Sequence, residues 1–458
     1  MLKIYNSLTQ QKEVFQPITP GQVNMYICGV TVYDYCHLGH ARCYIAFDVV
    51  VRYLRACGYK VTYVRNITDI DDKIIKRAND THEEITVLTQ RYIQAMQEDF
   101  HALGLLIPDY EPRATDYIAV MQILIEKLLA NGYAYIASNG DVYYEVRRFS
   151  RYGCLSHRDI DKLESGARVE IADAKRDPLD FVLWKLAKPH EPAWDSPWGM
   201  GRPGWHLECS AMSMQLLGEC FDIHGGGKDL VFPHHENELA QSEGATQATF
   251  VKTWMHAGHL QIAKEKMSKS LGNFFTIRDV LAQYAPEVVR YFFISSHYRS
   301  PLQYSAELLQ QAKNSLERLY TALRFLPAAD IEVNTAIEIK FYAAMDDDFN
   351  TPLALSVLFE LAHEIQRLRE KKLATAAQCG ALLRKLGGIL GILQTNPEEF
   401  FRSAVANVDI GKIENLIAAR QLARQQKNWA EADRIRSELL AMSVELEDTA
   451  QGTMWKYV

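Results

Sequence analysis

No stretch of this chain is apolar for long enough to span a bilayer as a helix. The opening MLKIYNSLTQQKEVF has no basic segment leading into an apolar run and a small-residue cleavage site, so a cytoplasmic protein with no membrane anchor is expected. A disulfide framework is missing too. The 8 cysteines are irregularly spaced along 458 residues, which is the pattern of reduced thiols or metal ligands. Heptads, internal repeats and low-complexity tracts are absent, which argues against coiled-coil, solenoid and linker architectures. There is no excess of positive charge. The formal net charge of -7 gives no global attraction to nucleic acid, although a local basic patch would still serve a phosphate backbone.

What the chain does contain is a mixed composition, 48% hydrophobic and 23% charged, over a length that buries a large core and accommodates two or more domains. Through residues 1–110, strand-like runs at 24–28 and 61–66 alternate with helical ones at 41–54 and 71–79, the signature of a parallel sheet covered by helices. Residues 111–202 break that rhythm with a helix at 117–129, a strand-like run at 142–146 and a Pro/Trp-rich stretch at 189–194, and read as an insertion. Over 203–300 the alternation resumes: a helix at 205–217, a strand at 220–224, a glycine turn at 225–227 and a helix at 236–241. Apolar positions then recur at helical spacing over 308–326, 352–373 and 382–393, so 301–396 is expected to be a helical bundle. The last segment, 397–458, carries a helix at 413–441, then 445–448 and the ending Gly452-Thr453-Met454-Trp455-Lys456. The expected fold class is α/β, a Rossmann-like parallel-sheet catalytic domain split by an insertion, followed by a helical bundle and a small C-terminal domain.

Two short motifs point to nucleotide chemistry. His37-Leu38-Gly39-His40 follows a strand and a loop punctuated by Gly29 and Asp34, and it opens a helix. Unpaired N–H groups at such a helix start favour an anion, and Gly39 leaves room for a ring or phosphate near the main chain. His37 and His40 can donate to phosphate oxygens as charge builds on a transferring phosphoryl group. The plainer alternative is that both histidines only cap the helix or pack against it. Lys266-Met267-Ser268-Lys269-Ser270, between Gly258 and Gly272, is too polar for a core element. Its lysines can approach a triphosphate as point charges, its serines can hydrogen-bond without bulk, and such a loop can close on ATP and reopen. Each motif is weak alone; their order and pairing carry the inference. A third run, His234-His235-Glu236-Asn237-Glu238, sets an imidazole and a carboxylate on one face of a helix beside the end of a strand. A metal there needs two more ligands, and spacing does not say which cysteines supply them.

With these motifs the chain resembles class I aminoacyl-tRNA synthetases, and over its whole length it resembles the bacterial cysteinyl-tRNA synthetase family. Leu38, where the class pattern has isoleucine, is the one departure in the first motif. The resemblance implies one zinc ion on Cys28 in Tyr26-Ile27-Cys28-Gly29, Cys209 in Trp205-His206-Leu207-Glu208-Cys209, His234 and Glu238. It also implies Mg2+ with ATP, L-cysteine, a cysteine tRNA, a cysteinyl-adenylate intermediate and a monomer. His37, His40, Lys266 and Lys269 are expected at the reacting phosphates, with Gly39, Met267, Ser268 and Ser270 around the nucleotide. Gly29, Thr68, Trp205, His206, His224 and Asp229 are expected around the amino acid. Zinc suits this substrate because a thiolate is a strong zinc ligand and serine's alcohol is not. A plain pocket would separate the two amino acids by only about 1–3 kcal/mol. No editing domain is then required, and the insertion is too short for one.

The tail holds Trp429, Asp433, Arg434, Arg436, Asp448 and Trp455, residue types suited to stacking on unpaired bases and hydrogen-bonding their edges. The resemblance makes this segment the anticodon reader, with Trp429, Asp433, Arg436 and Asp448 as contacts. The plainer alternative is a helical cap whose tryptophans fill its own core. Two rival functions share the catalytic core: a ligase joining cysteine to an amino sugar, against which the tail argues, and a catalytically silent RNA-binding paralogue, against which the intact motifs argue.

Overall fold

The computed structural model describes residues 1–160, 174–189, 191–262, 265–266, 274–331, 335–402, 410–442, 444–449 and 452–457. The chain divides into two compact units, the first made of Met1–Ile277, Phe293–Tyr304 and Tyr342–Ala354, the second of Arg278–Phe292, Ser305–Phe341 and Leu355–Val458.

At the centre of the first unit is a four-stranded parallel sheet built from β1 (Gln22–Thr31), β2 (Lys60–Thr68), β3 (Phe221–Gly227) and β4 (Val251–Ala257), in the spatial order β4-β3-β1-β2. Parallel strands covered on both faces lose the alternation of a half-exposed sheet. Accordingly Met25, Tyr26, Ile27 and Cys28 of β1 are all buried. α1 (Leu38–Ala56) connects β1 to β2 and is buried over most of its length. Its Arg42 donates to the carbonyls of Phe293, His297 and Ser300 at 2.5, 2.7 and 3.2 Å, tying that later stretch to α1. Because the chain leaves β1 toward β2 on one side while β3 lies on the other, a crevice opens at the carboxyl ends of β1 and β3, where open α/β sheets hold their ligands.

The expected glycine turn at 225–227 is corrected by the structure. Gly225, Gly226 and Gly227 continue β3, opposite Met255, His256 and Ala257 of β4. Their small size serves packing, since a Cβ on Gly225 would lie 2.5 Å from the Phe47 ring of α1. After helices Asp72–Thr81 and Ile85–Ala102, the chain forms helix Ile118–Ala130 and an antiparallel meander of Ala134–Ile136, Val142–Tyr144, Phe181–Leu186 and Gly201–Pro203. The chain then enters α2 (Trp205–Leu217), β3, and α3 (Glu236–Thr246).

In the second unit the helix expected at 413–441 is two helices, Ile410–Gln425 and Trp429–Ala441. Lys427 breaks the run with a left-handed φ of 57°, and Asn428 caps the new helix by accepting from the Glu431 N–H at 3.3 Å. The helix expected at 352–373 stops at Arg369, and another begins at Leu373. The tail closes with a hairpin of Val444–Thr449 and Gly452–Tyr457, over a core that includes Ile413, Ile435, Leu439 and Trp455. Among the described residues, no helix is long and apolar enough to cross a membrane.

Candidate active site

A cavity of about 270 Å³ lies at the carboxyl ends of the central strands. Cys28–Thr31 of β1, Gly227 of β3 and Ala257 of β4 contribute to its lining, together with His37, Gly39 and His40 at the start of α1 and Tyr33, Lys73, Trp205 and Asp229. Gly29 is required where it sits: a Cβ would meet the Asn66 carbonyl oxygen at 1.5 Å, and the Gly29 N–H donates to Asn66 Oδ1 at 2.7 Å.

His37 and His40 do cap α1. His37 Nδ1 accepts from the Gly39 N–H at 3.1 Å, His40 Nδ1 accepts from the His37 N–H at 3.2 Å, and the two rings stack with centroids 3.8 Å apart. The capping geometry is compatible with a chemical role. An imidazole that accepts through Nδ1 carries its proton on Nε2, so the cap fixes the tautomer that donates from the far side of the ring.

The floor of the site is a cluster of buried donors. Cys28 Sγ lies 3.6 Å from Cys209 Sγ and 3.5 Å from Glu238 Oε1, and His234 Nε2 lies 3.0 Å from Glu238 Oε1. Zinc–sulfur bonds of about 2.3 Å and zinc–nitrogen or zinc–oxygen bonds of about 2.0–2.1 Å at a tetrahedral ion require edges of roughly 3.3–3.8 Å. Two of these three edges fall in that range and the His234–Glu238 edge is shorter, with all four donor atoms within 4.8 Å of one another, so the set is able to hold such an ion after a small adjustment. An overlapping quartet, Cys28, His224, His235 and Glu238, also places its donor atoms within 4.8 Å of one another. Burial pushes both thiols up and holds the imidazoles of His234 and His235 well below their usual range. The imidazoles are therefore neutral and able to ligate, while the thiols need a cation to lose their protons.

A ring of partners surrounds this floor. His224 Nε2 donates to Glu238 Oε2 at 2.8 Å. The Nδ1 atoms of His206 and His234 are hydrogen-bonded at 2.9 Å, and the Trp205 ring stacks on His234 with centroids 4.2 Å apart. From the other side Ser7 Oγ, His256, His235 and Cys28 Sγ form a hydrogen-bonded chain with links of 2.7, 2.8 and 3.2 Å. His235 and His256 were not singled out by sequence reasoning. The doubled histidine at 234–235 was the available signal for the first, whereas nothing local marks the second.

Of the residues expected around the amino acid, Gly29, Trp205 and Asp229 line the cavity. Thr68, His206 and His224 lie behind the lining instead, where Thr68 Oγ1 donates to Glu208 Oε2 at 2.9 Å. Thr68, His206 and His224 each make a hydrogen bond within the buried network, to Glu208, His234 and Glu238 respectively. Lys266 ends the short strand Glu265–Lys266; its side chain, and all of Met267, Ser268, Lys269 and Ser270, lie outside the described residues. In the tail Trp429 is 59% exposed, Asp433 and Arg436 are exposed, and Trp455 is buried. Arg434 is held by Glu431 and Glu438 at 2.7 and 2.9 Å. Asp448 belongs to strand Val444–Thr449, and its side chain lies outside the described residues.

Comparison with known proteins places this architecture. The family model of the class I (C) tRNA synthetase catalytic domain matches residues 14–314, and that of the DALR domain matches residues 340–394. The fold is shared with a methionyl-tRNA synthetase of Mycobacterium tuberculosis in complex with methionyl-adenylate, at TM-score 0.58 and 15% identity over 86% of this chain and 94% of that one. It is shared also with a putative arginyl-tRNA synthetase of Campylobacter jejuni, at TM-score 0.56 and 13% identity over 82% and 94%. The match of the class I catalytic-domain model over most of the chain makes this a class I tRNA synthetase. Among relatives, the cysteine–tRNA ligase of Halorhodospira halophila is 61% identical over 100% of this chain and 99% of its own length, and that of Pseudomonas aeruginosa is 60% identical over the same shares. The chain belongs to the cysteine–tRNA ligase family.

Proposed function

We propose that this enzyme joins L-cysteine to a cysteine tRNA in two steps: attack of the amino-acid carboxylate on the α-phosphorus of Mg2+-bound ATP, then attack of the tRNA's terminal adenosine on the cysteinyl-adenylate. Cys28, Cys209, His234 and Glu238 would hold a zinc ion beside the substrate thiol. When bound, the ion supplies a thiophilic Lewis acid that takes up a thiolate and discriminates against an alcohol. The observation that carries this reading is the double position of Cys28, which belongs both to the buried quartet and to the cavity wall. Of the two overlapping quartets, the one with two thiols suits zinc better, and His224 and His235 then orient Glu238 and Cys28 from outside.

His37 and His40 offer their Nε2–H groups to the α-phosphate as its charge grows, at a helix start that already favours an anion. Lys266 and Lys269 counter the charge of the departing pyrophosphate, with Gly39, Met267, Ser268 and Ser270 around the nucleotide. Asp229 faces the cavity and suits the substrate ammonium, and Trp205 closes the wall. Thr68, His206 and His224 act through Glu208, His234 and Glu238. Segments 1–110 and 203–300 serve as the halves of the catalytic domain, 111–202 as the insertion, 301–396 as the bundle and 397–458 as the anticodon reader. In the last, Trp429, Asp433, Arg436 and Asp448 meet unpaired bases. The enzyme works as a cytoplasmic monomer.

The test is cysteine-dependent ATP–pyrophosphate exchange, followed by transfer to bulk tRNA in parallel with a glucosamine-type acceptor. Exchange and transfer to tRNA are expected. Transfer to the sugar alone, or no exchange at all, would overturn the reading.

A further inference from the structure

Resting on the zinc reading above, we propose that residues 152–158 of the insertion form a strap that positions the metal ligands, with Glu236 as its main positioning residue, so that the insertion sets how sharply the site separates thiol from alcohol. His234 and Glu238 flank Glu236 and Asn237, the two residues by which the strap holds the start of α3. The Glu236 carboxylate is fully buried and accepts from the main chain of the strap: Oε1 from the Gly153 N–H at 2.8 Å and Oε2 from the Ser156 N–H at 2.7 Å, with the Leu155 N–H further off at 3.5 Å. Tyr152 donates its hydroxyl to Asn237 Oδ1. The Arg158 guanidinium lies 4.4 Å from the ring centroid of Phe232, whose φ of -138° and ψ of 131° interrupt the helical path just before His234. His157 Nε2 donates to the Ser7 carbonyl at 3.0 Å, and the Ser7 hydroxyl begins the chain that runs through His256 and His235 to Cys28.

The strap therefore reaches three of the four ligands without touching the cavity. The turn Val231–His235 leads straight into α3, with the Glu236 N–H donating to the Val231 carbonyl, but it is interrupted at Phe232. The 3.0 Å approach of His234 to Glu238 is set where that turn meets α3, and small rotations there would open it. A buried carboxylate is an expensive way to fasten a loop when apolar contacts would serve. Its place between two ligands gives it a use that apolar packing would not supply, because partners of this kind around a metal typically change affinity about 10- to 100-fold.

The experiment uses the full chain, with the zinc dissociation constant read by competition with a chromophoric chelator and the cysteine-over-serine ratio read in pyrophosphate exchange. Glu236→Gln, which turns an acceptor into a donor facing main-chain N–H groups, is expected to weaken zinc binding about 10- to 100-fold. It should lower the cysteine-over-serine ratio and leave the KM for ATP unchanged, which loss of folding alone would not do. Tyr152→Phe removes one hydroxyl and should weaken zinc binding about 3- to 10-fold. Arg148→Ala, which breaks a surface pair with Glu145 at 3.3 Å, should change neither. Folded Glu236→Gln and Tyr152→Phe proteins that hold zinc as tightly as the parent would overturn the strap, and Tyr152→Phe alone decides if Glu236→Gln does not fold. A parent protein that binds no zinc would remove the metal reading itself, an outcome distinct from failure of the strap.

Discussion

Two pairs of histidines serve the same cavity and are held in opposite ways. His37 and His40 are half-buried, stacked on each other, and engaged through Nδ1 with the main chain of the helix they begin. His234 and His235 are fully enclosed, held neutral by burial, and engaged with carboxylate, thiol and other imidazoles. Burial thus decides what the same side chain can do. Near solvent, with one nitrogen occupied, it is a fixed proton donor for a charged ligand; out of water, it is a neutral base suited to a cation.

If that division is real, the two ends of the site should fail independently. Cys209→Ser should remove zinc and lower kcat/KM for cysteine about 10³-fold, equivalent to roughly 4 kcal/mol, while ATP still binds; metal analysis alongside pyrophosphate exchange checks this. His37→Asn keeps a good helix cap but loses the Nε2 donor. It should lower exchange about 10²-fold with zinc content and melting temperature unchanged. His37→Ala should lose a further 1 kcal/mol or so of stability, measured by denaturant titration.

A parallel contrast separates the two tail tryptophans. Replacing exposed Trp429 by alanine should weaken tRNA charging about 10-fold and leave adenylate formation untouched, as steady-state kinetics on each half-reaction would show. A further effect is one of pH. Burial, reinforced by His224 and Lys228, pushes His256 down to about 3. Below about pH 6.5 the unfolded chain takes up a proton that the folded one refuses, so stability contributed above that pH is lost as pH falls, by about 1.4 kcal/mol per unit. In metal-free protein, His256→Gln should flatten the unfolding free energy between pH 6 and 4 by about that slope.

How far sequence reaches can be judged from particular elements. The helix at 205–217 has the bounds expected of it, because its ends are marked by Gly204 and Gly218. The break at Lys427 has no glycine or proline to announce it, and only Asn428 hints at a new start. Gly225–Gly227 are misleading because turn chemistry and close packing ask for the same residue; the Phe47 ring that needs the space is far away in sequence. In the site, the spacing of His234 and Glu238 is local and legible. The cysteines came from family resemblance, and the chain from Ser7 to Cys28 and the grip of 152–158 on Glu236 join segments that only the folded sheet brings together. The same holds for Trp455, whose burial depends on the hairpin closing over two helices.

In the proposed function the substrate's own sulfur joins the metal site. X-ray absorption at the zinc edge, on protein with no amino acid, with cysteine and with serine, measures it most directly. Two sulfur ligands per zinc are expected in the free protein, three with cysteine and two with serine. Two sulfurs in all three samples, or no zinc in active protein, would contradict that reading.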